Sequence, residues 1–146
     1  MNRRVVASRV LLTLAAAIFL LGAVLHANAF FLKASHVIDG SSLKSFFAGE
    51  LKVLWLADST TLAGLGLFCG LIAAKPAWVK RTIILALSWI PAATSALLYF
   101  FLGPFYAAHM LMAATIMVVL SALILPASGA ATREDTSAFT KSASLT

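Results

Sequence analysis

Charge is what this chain has least of. Aspartate and glutamate number 5 and lysine and arginine 11 in 146 residues, so 11% of the chain is charged while 62% is hydrophobic. An ordinary water-soluble domain charges about a quarter of its residues. Apolar residues here surround each prospective helix instead of forming one stripe, which excludes a soluble core. The single cysteine, Cys69, rules out an intrachain disulfide and a redox dithiol, and no Cys/His tract has zinc-binding spacing. Cys69 lies deep in an apolar stretch and reads as a small packing residue. A glycine-rich phosphate loop, a nucleophile elbow and a catalytic carboxylate pair are also missing, which argues against chemistry on water-soluble substrates.

The chain instead has four apolar runs, Val10–Phe31, Leu51–Ala74, Thr82–Leu102 and Tyr106–Leu125. Each approaches the ~20 residues a helix needs to cross a ~30 Å hydrocarbon core. The expected fold class is all-α: a polytopic membrane protein, one antiparallel up-down bundle of four transmembrane helices spanning residues 10–126. A cytoplasmic segment 1–9 precedes it. A tail 127–146, rich in Ser, Thr and Ala, follows and is expected to be disordered. A polar outer loop is expected over 33–50, with Asp39-Gly40 as its turn signal.

The net charge of +6 fits membrane orientation better than nucleic acid. Arg3, Arg4 and Arg9 precede the first run, Lys75, Lys80 and Arg81 join the second to the third, and Arg133 and Lys141 lie in the tail. Lys33, Lys44 and Lys52 sit in the first connection but are offset by Asp39 and Glu50, and Leu102–Tyr106 carries no charge. Both termini and the Lys75–Arg81 loop are therefore expected in the cytoplasm, in a multi-pass protein of a bacterial inner membrane. Trp55, Trp78, Tyr99 and Tyr106 fall near run ends, where amphipathic rings anchor at the interface. The first run has a competing identity as a signal peptide: Arg3-Arg4 as basic region, Val10–Leu25 as apolar region, and Ala27-Asn28-Ala29 as a cleavage site after Ala29.

Smaller signals set the joints. Lys75-Pro76 ends the second helix, Pro91 implies a kink in the third, and Gly103-Pro104 makes helices three and four antiparallel neighbours. Phe46–Leu56 either lies flat in the outer interface, with Asp58-Ser59-Thr60-Thr61 capping a new helix, or forms the outer end of helix two. His36 reads as a solvated loop histidine, Trp78 as an interface anchor and Trp89 as bundle filler. Met110, Met112 and Met117 read as apolar packing.

An ionisable group in hydrocarbon is expensive and marks a candidate site. His26, Asp58 and His109 qualify, and at 1.5 Å of rise per residue all three lie roughly 7–11 Å outward of the midplane. In helix two, Gly66, Gly70 and Ala74 form a small-residue packing stripe that allows close helix approach, and Asp58 projects over the same side. Helix one offers Ala15, Gly22, His26 and Ala29, and helix three Ser88, Ala92, Ser95 and Tyr99. Stripes that meet would gather His26, Asp58, Tyr99 and His109 into one outward-facing pocket, with Thr61 at its edge.

The leading expectation is a non-enzymatic accessory or partner-binding subunit with no cofactor, whose polar stripes serve packing. Its partners would be the lipid bilayer and another membrane protein or a second copy docked through Gly66-x-x-x-Gly70. The alternative is a membrane redox or ligand-binding protein. In that reading the pocket takes a quinone or lipid, or His26, His109 and Asp58 hold a metal ion or the two imidazoles a haem.

Overall fold

The computed structural model describes residues 2–125. Every regular element among them is helical: α1 (Arg3–Ala29), a π-helical turn (Phe30–Ala34), α2 (Ser35–Asp39), α3 (Ser45–Ala74), a 3₁₀ turn (Pro76–Trp78), α4 (Arg81–Leu102) and α5 (Tyr106–Ile124). Four helices are long and apolar enough to cross a membrane, counting Arg3–Asp39 as one continuous rod. The tail expected to be disordered lies outside the described residues.

Local chemistry sets the ends. The Asn2 side chain accepts from the Arg4 N–H and caps α1, satisfying an orphan donor of the first turn. α3 stops at Ala74 because Lys75, preceding Pro76, is driven into extended backbone at ψ 100°. α4 stops at Gly103, whose φ of +75° is open to glycine without strain. α4 runs through Pro91, which is fully buried.

Several boundaries differ from the sequence expectation. α1 begins at Arg3, and α3 begins at Ser45 instead of Leu51, so that Phe46–Leu56 is the outer end of helix two, the second of the two readings of that segment. The segment 33–50, read as a polar loop, is mostly helix: the chain continues through the π turn into α2 and leaves regular helix only around Gly40–Lys44. Asp58–Thr61 starts no helix. The Thr60 and Thr61 hydroxyls bond back to the Ala57 carbonyl, the interior alternative to capping open to such side chains. Trp89, expected to fill the bundle, is 75% exposed on the outside of α4.

The four long helices pack in the order α3–α1–α5–α4, and α3 and α4, though consecutive in sequence, barely touch. α1 is therefore central. Its Leu12, Ala15, Ala16 and Phe19 meet Leu65, Cys69 and Ile72 of α3 and Leu111, Ala114 and Val118 of α5 in one core. α1 and α3 approach closely at Gly66, where an added Cβ would lie 2.7 Å from Leu20 Cγ and 3.1 Å from the Ala16 carbonyl oxygen. Of the small-residue stripe, Gly66 and Gly70 face α1, while Ala74 is exposed. At the basic end, Arg9 Nε donates to the Ala73 carbonyl, satisfying an acceptor that the last turn of α3 leaves open.

The helices are unequal. At about 1.5 Å per residue, α4 and α5 measure roughly 33 and 28 Å, whereas Arg3–Asp39 and α3 reach about 55 and 45 Å. The excess lies at the end remote from Lys75–Arg81. There Phe30–Asp39 and the first turns of α3 form a projecting helical hairpin, tied by Lys52 Nζ donating to Asp39 Oδ1 at 2.6 Å.

Candidate functional site

Because α3 and α4 do not close on each other, a cleft of about 410 Å³ opens between them towards the remote end of the bundle. α1 and α5 supply its floor through Phe19, Gly22, Met110 and Leu111, and its walls are Leu62 of α3 and Leu98 and Leu102 of α4. The lining is apolar apart from Tyr106 at the start of α5 and one ionisable corner, where His26 and Asp58 enter it beside Trp55. That volume lies in the range of small-molecule pockets, which are mostly apolar with a few placed polar groups.

The polar corner is built by α1 and α3 together. His26 stands about 25 Å beyond Arg9 along α1, and Asp58 about 24 Å before Ala74 along α3, at 1.5 Å per residue. Antiparallel packing of the two helices then sets them at one height. His26 Nε2 lies 3.6 Å from Asp58 Oδ2, with side chains 27% and 43% exposed. Its Nδ1 is 2.9 Å from Ser59 Oγ. The neutral tautomer carrying its proton on Nε2 accepts from Ser59 and points its N–H at Asp58; the protonated ring donates on both sides, and the Ser59 hydroxyl then donates to the Trp55 carbonyl at 3.3 Å. Trp55 stacks on the imidazole, centroids 4.7 Å apart and 16° from parallel. Its indole N–H donates to the His26 carbonyl at 3.0 Å.

Backbone irregularity supports this corner. The π turn begins at Phe30, four residues after His26, and the Phe30 N–H reaches both the Ala27 and His26 carbonyls. Such turns re-register a helix and recur at functional sites. The His26 carbonyl is thereby shared between its own helix and the indole of α3. Trp55 and Ser59 were read in the sequence as an interface anchor and part of a helix start. Their signal is the spacing: 55, 58, 59 and 62 share one face of a continuous helix.

The other two candidate residues lie elsewhere. Tyr99 Oη is 2.6 Å from His109 Nδ1, with ring centroids 5.6 Å apart, and neither residue lines the cleft. The expected single pocket is therefore two pairs, His26–Asp58 and Tyr99–His109. Helical rise brings His26 and Asp58 side by side, but the rotational phase of α4 and α5 leaves the second pair out of the lining. Thr61 is engaged with Ala57. Among the described residues no three His, Cys, Asp or Glu come together as a metal site requires. The metal set His26, Asp58 and His109 is not assembled, because each imidazole has its own partner. Haem ligation by two histidines needs both to face one cavity, and only His26 does.

No protein-family model matches the chain, and neither a curated protein nor a solved structure proves similar to it. Function rests on the geometry alone.

Proposed function

We propose that this is a multi-pass protein of a bacterial cytoplasmic membrane that holds a lipid-like amphiphile in the cleft between α3 and α4. Four helices of spanning length support the membrane placement. The clustering of Arg3, Arg4, Arg9, Lys75, Lys80 and Arg81 at one end supports a cytoplasmic position for that end and both termini. The cleft then lies in the outer leaflet and opens sideways towards lipid, with His26 and Asp58 in the outer half of the hydrocarbon, below the headgroups. The observation that carries the reading is one polar corner at the edge of an otherwise apolar slot, the shape of a molecule with a hydrocarbon chain and a small polar head. His26, Asp58 and Trp55 would fix the head, with Ser59 holding His26 from behind, and Gly22, Leu62 and Leu98 would pack the chain. The activity is binding, without catalysis.

The test is native mass spectrometry of protein extracted in a mild uncharged detergent, comparing wild type with Gly22→Leu. A Cβ at Gly22 meets only Leu62 Cδ1, at 3.9 Å, so a larger side chain enters the cleft instead of the packed core. Wild type is expected to carry a bound amphiphile that the variant lacks. Equal adducts in both, or none in either, would sink the reading.

A second reading, an assembly subunit, is favoured by the projecting hairpin. Phe31, Val37, Phe46 and Phe47 are all more than half exposed there, and apolar surface beyond the bilayer suits a membrane-protein neighbour.

A further inference from the structure

We infer that the cleft selects an amphiphile with a cationic amine head and rejects phosphate-, sulfate- or carboxylate-headed lipids of the same chain. The inference rests on the cleft being a ligand site and adds the chemistry of the head. Asp58 has one charge partner among the described residues, His26, and at 3.6 Å that contact is longer than a hydrogen bond. Asp58 is also the sole acid in the lining, which contains no lysine or arginine. A carboxylate beside hydrocarbon without a full counter-charge is costly, and a bound ammonium offsets that cost. An anionic head would meet like charge and find no cation other than a protonated His26.

The neighbouring side chains favour the same head. Trp55, Phe105 and Tyr106 line the cleft with Asp58, and aromatic faces attract ammonium groups through the ring quadrupole. A carboxylate with aromatic rings is the usual composition of an amine site, whereas phosphate sites gather Arg, Lys and backbone N–H groups. Lys52, the one lysine within α3, is committed to Asp39 at 2.6 Å. A long-chain free amine and a hydrophobic cationic compound from outside the cell share the chemistry required.

The experiment uses brominated single-chain probes of one chain length bearing a trimethylammonium, a primary amine, an alcohol or a sulfate head. They quench Trp55 in full-length protein in which Trp78→Phe and Trp89→Phe leave that indole as the reporter. Both amine-headed probes are expected to quench saturably, at least about tenfold tighter than the alcohol, with the sulfate weakest. Asp58→Asn should bring the amines down to the alcohol and leave the alcohol unchanged; Gly22→Leu should abolish saturable quenching by all. Amine and alcohol binding alike with Asp58→Asn silent, or sulfate binding tightest, overturns the inference while leaving the cleft a binding site. Absence of saturable quenching by every probe overturns the binding site itself.

Discussion

Gly66 occupies a point where no side chain fits, since its missing Cβ would fall inside van der Waals contact of Leu20 and of the Ala16 backbone. Overpacking of this kind costs about 1–3 kcal/mol. Gly66→Ala is therefore expected to lower the melting temperature in detergent clearly. Gly64→Ala, with nothing within 4 Å of the added carbon, should be neutral or slightly stabilising through helix propensity. Equal effects at the two positions would contradict the close α1–α3 approach. Ser95 makes the opposite case. Its hydroxyl is fully buried and has no hydrogen-bond partner, so Ser95→Ala removes a polar group with nothing to lose and is expected to leave stability unchanged or improve it. A clear drop in melting temperature would mean that the hydroxyl is satisfied in the membrane-extracted protein. At this scale the sequence was partly legible. His26 and Asp58 were found because rise per residue fixes height along a helix. Trp55 and Ser59 were missed because their roles depend on a carbonyl and an imidazole of another helix.

Among the elements, the joint between α1 and α3 determines the site. It is held at the basic end by Arg9 on the Ala73 carbonyl, in the middle by Gly66, and at the remote end by Trp55 on His26. Trp55→Phe keeps a ring to stack but loses the indole donor, and is expected to cost about 1 kcal/mol, the net worth of one hydrogen bond. Trp55→Ala should cost more, because the stacked surface goes too; a smaller loss in the alanine variant would show that the stack contributes nothing. The same joint predicts a cross-link. A Cβ on Gly70 lies 4.0 Å from that of Ala16, within the spacing of disulfide-bonded cysteines. In a Cys69→Ala background, Ala16→Cys with Gly70→Cys should oxidise within one chain, giving a faster-migrating monomer. A disulfide-linked dimer instead would assign the stripe to a second copy. The helix ends at Lys75-Pro76 and Gly103-Pro104 were readable because proline and glycine act locally. The start of α3 was readable only as one of two alternatives for Phe46–Leu56, since the polar residues of 33–50 resemble a loop until pairing with the rod from α1 makes them one face of a hairpin.

For the whole molecule, the row α3–α1–α5–α4 matters more than the number of helices. Hydropathy and lengths predicted four helices. The order did not follow, because it depends on which faces interlock, and apolar faces all look alike in composition. That order places α1 at the centre, contributing Leu12, Ala15, Ala16 and Phe19 to the core. α1 also runs without a break through Ala27–Ala29, the stretch that resembles a cleavage site. Protein expressed without residues 1–29 would lack the helix that both α3 and α5 pack against. Its expected behaviour in size-exclusion chromatography is aggregation, and a monodisperse, thermally stable product would show that the other three helices suffice. Orientation is open to labelling: Ser41→Cys in a Cys69→Ala background should react from outside intact cells and Ala77→Cys should not, and the reverse pattern would invert the topology.

The unequal rods have a mechanical consequence in the proposed bilayer. α5, at 19 residues, is close to the minimum for a crossing, while α3 has 30, and α3 and α4 form the two sides of the opening. Tilting accommodates a helix longer than its surroundings, so thinner lipid leans α3 more than α4, the shorter helix across the opening. Membrane thickness then sets the gape of the lateral door, making the protein a gauge whose grip varies with the acyl chains around it. In vesicles of progressively shorter lipid, probe affinity should drift steadily, and a flat profile would mean that α1 holds α3 rigid.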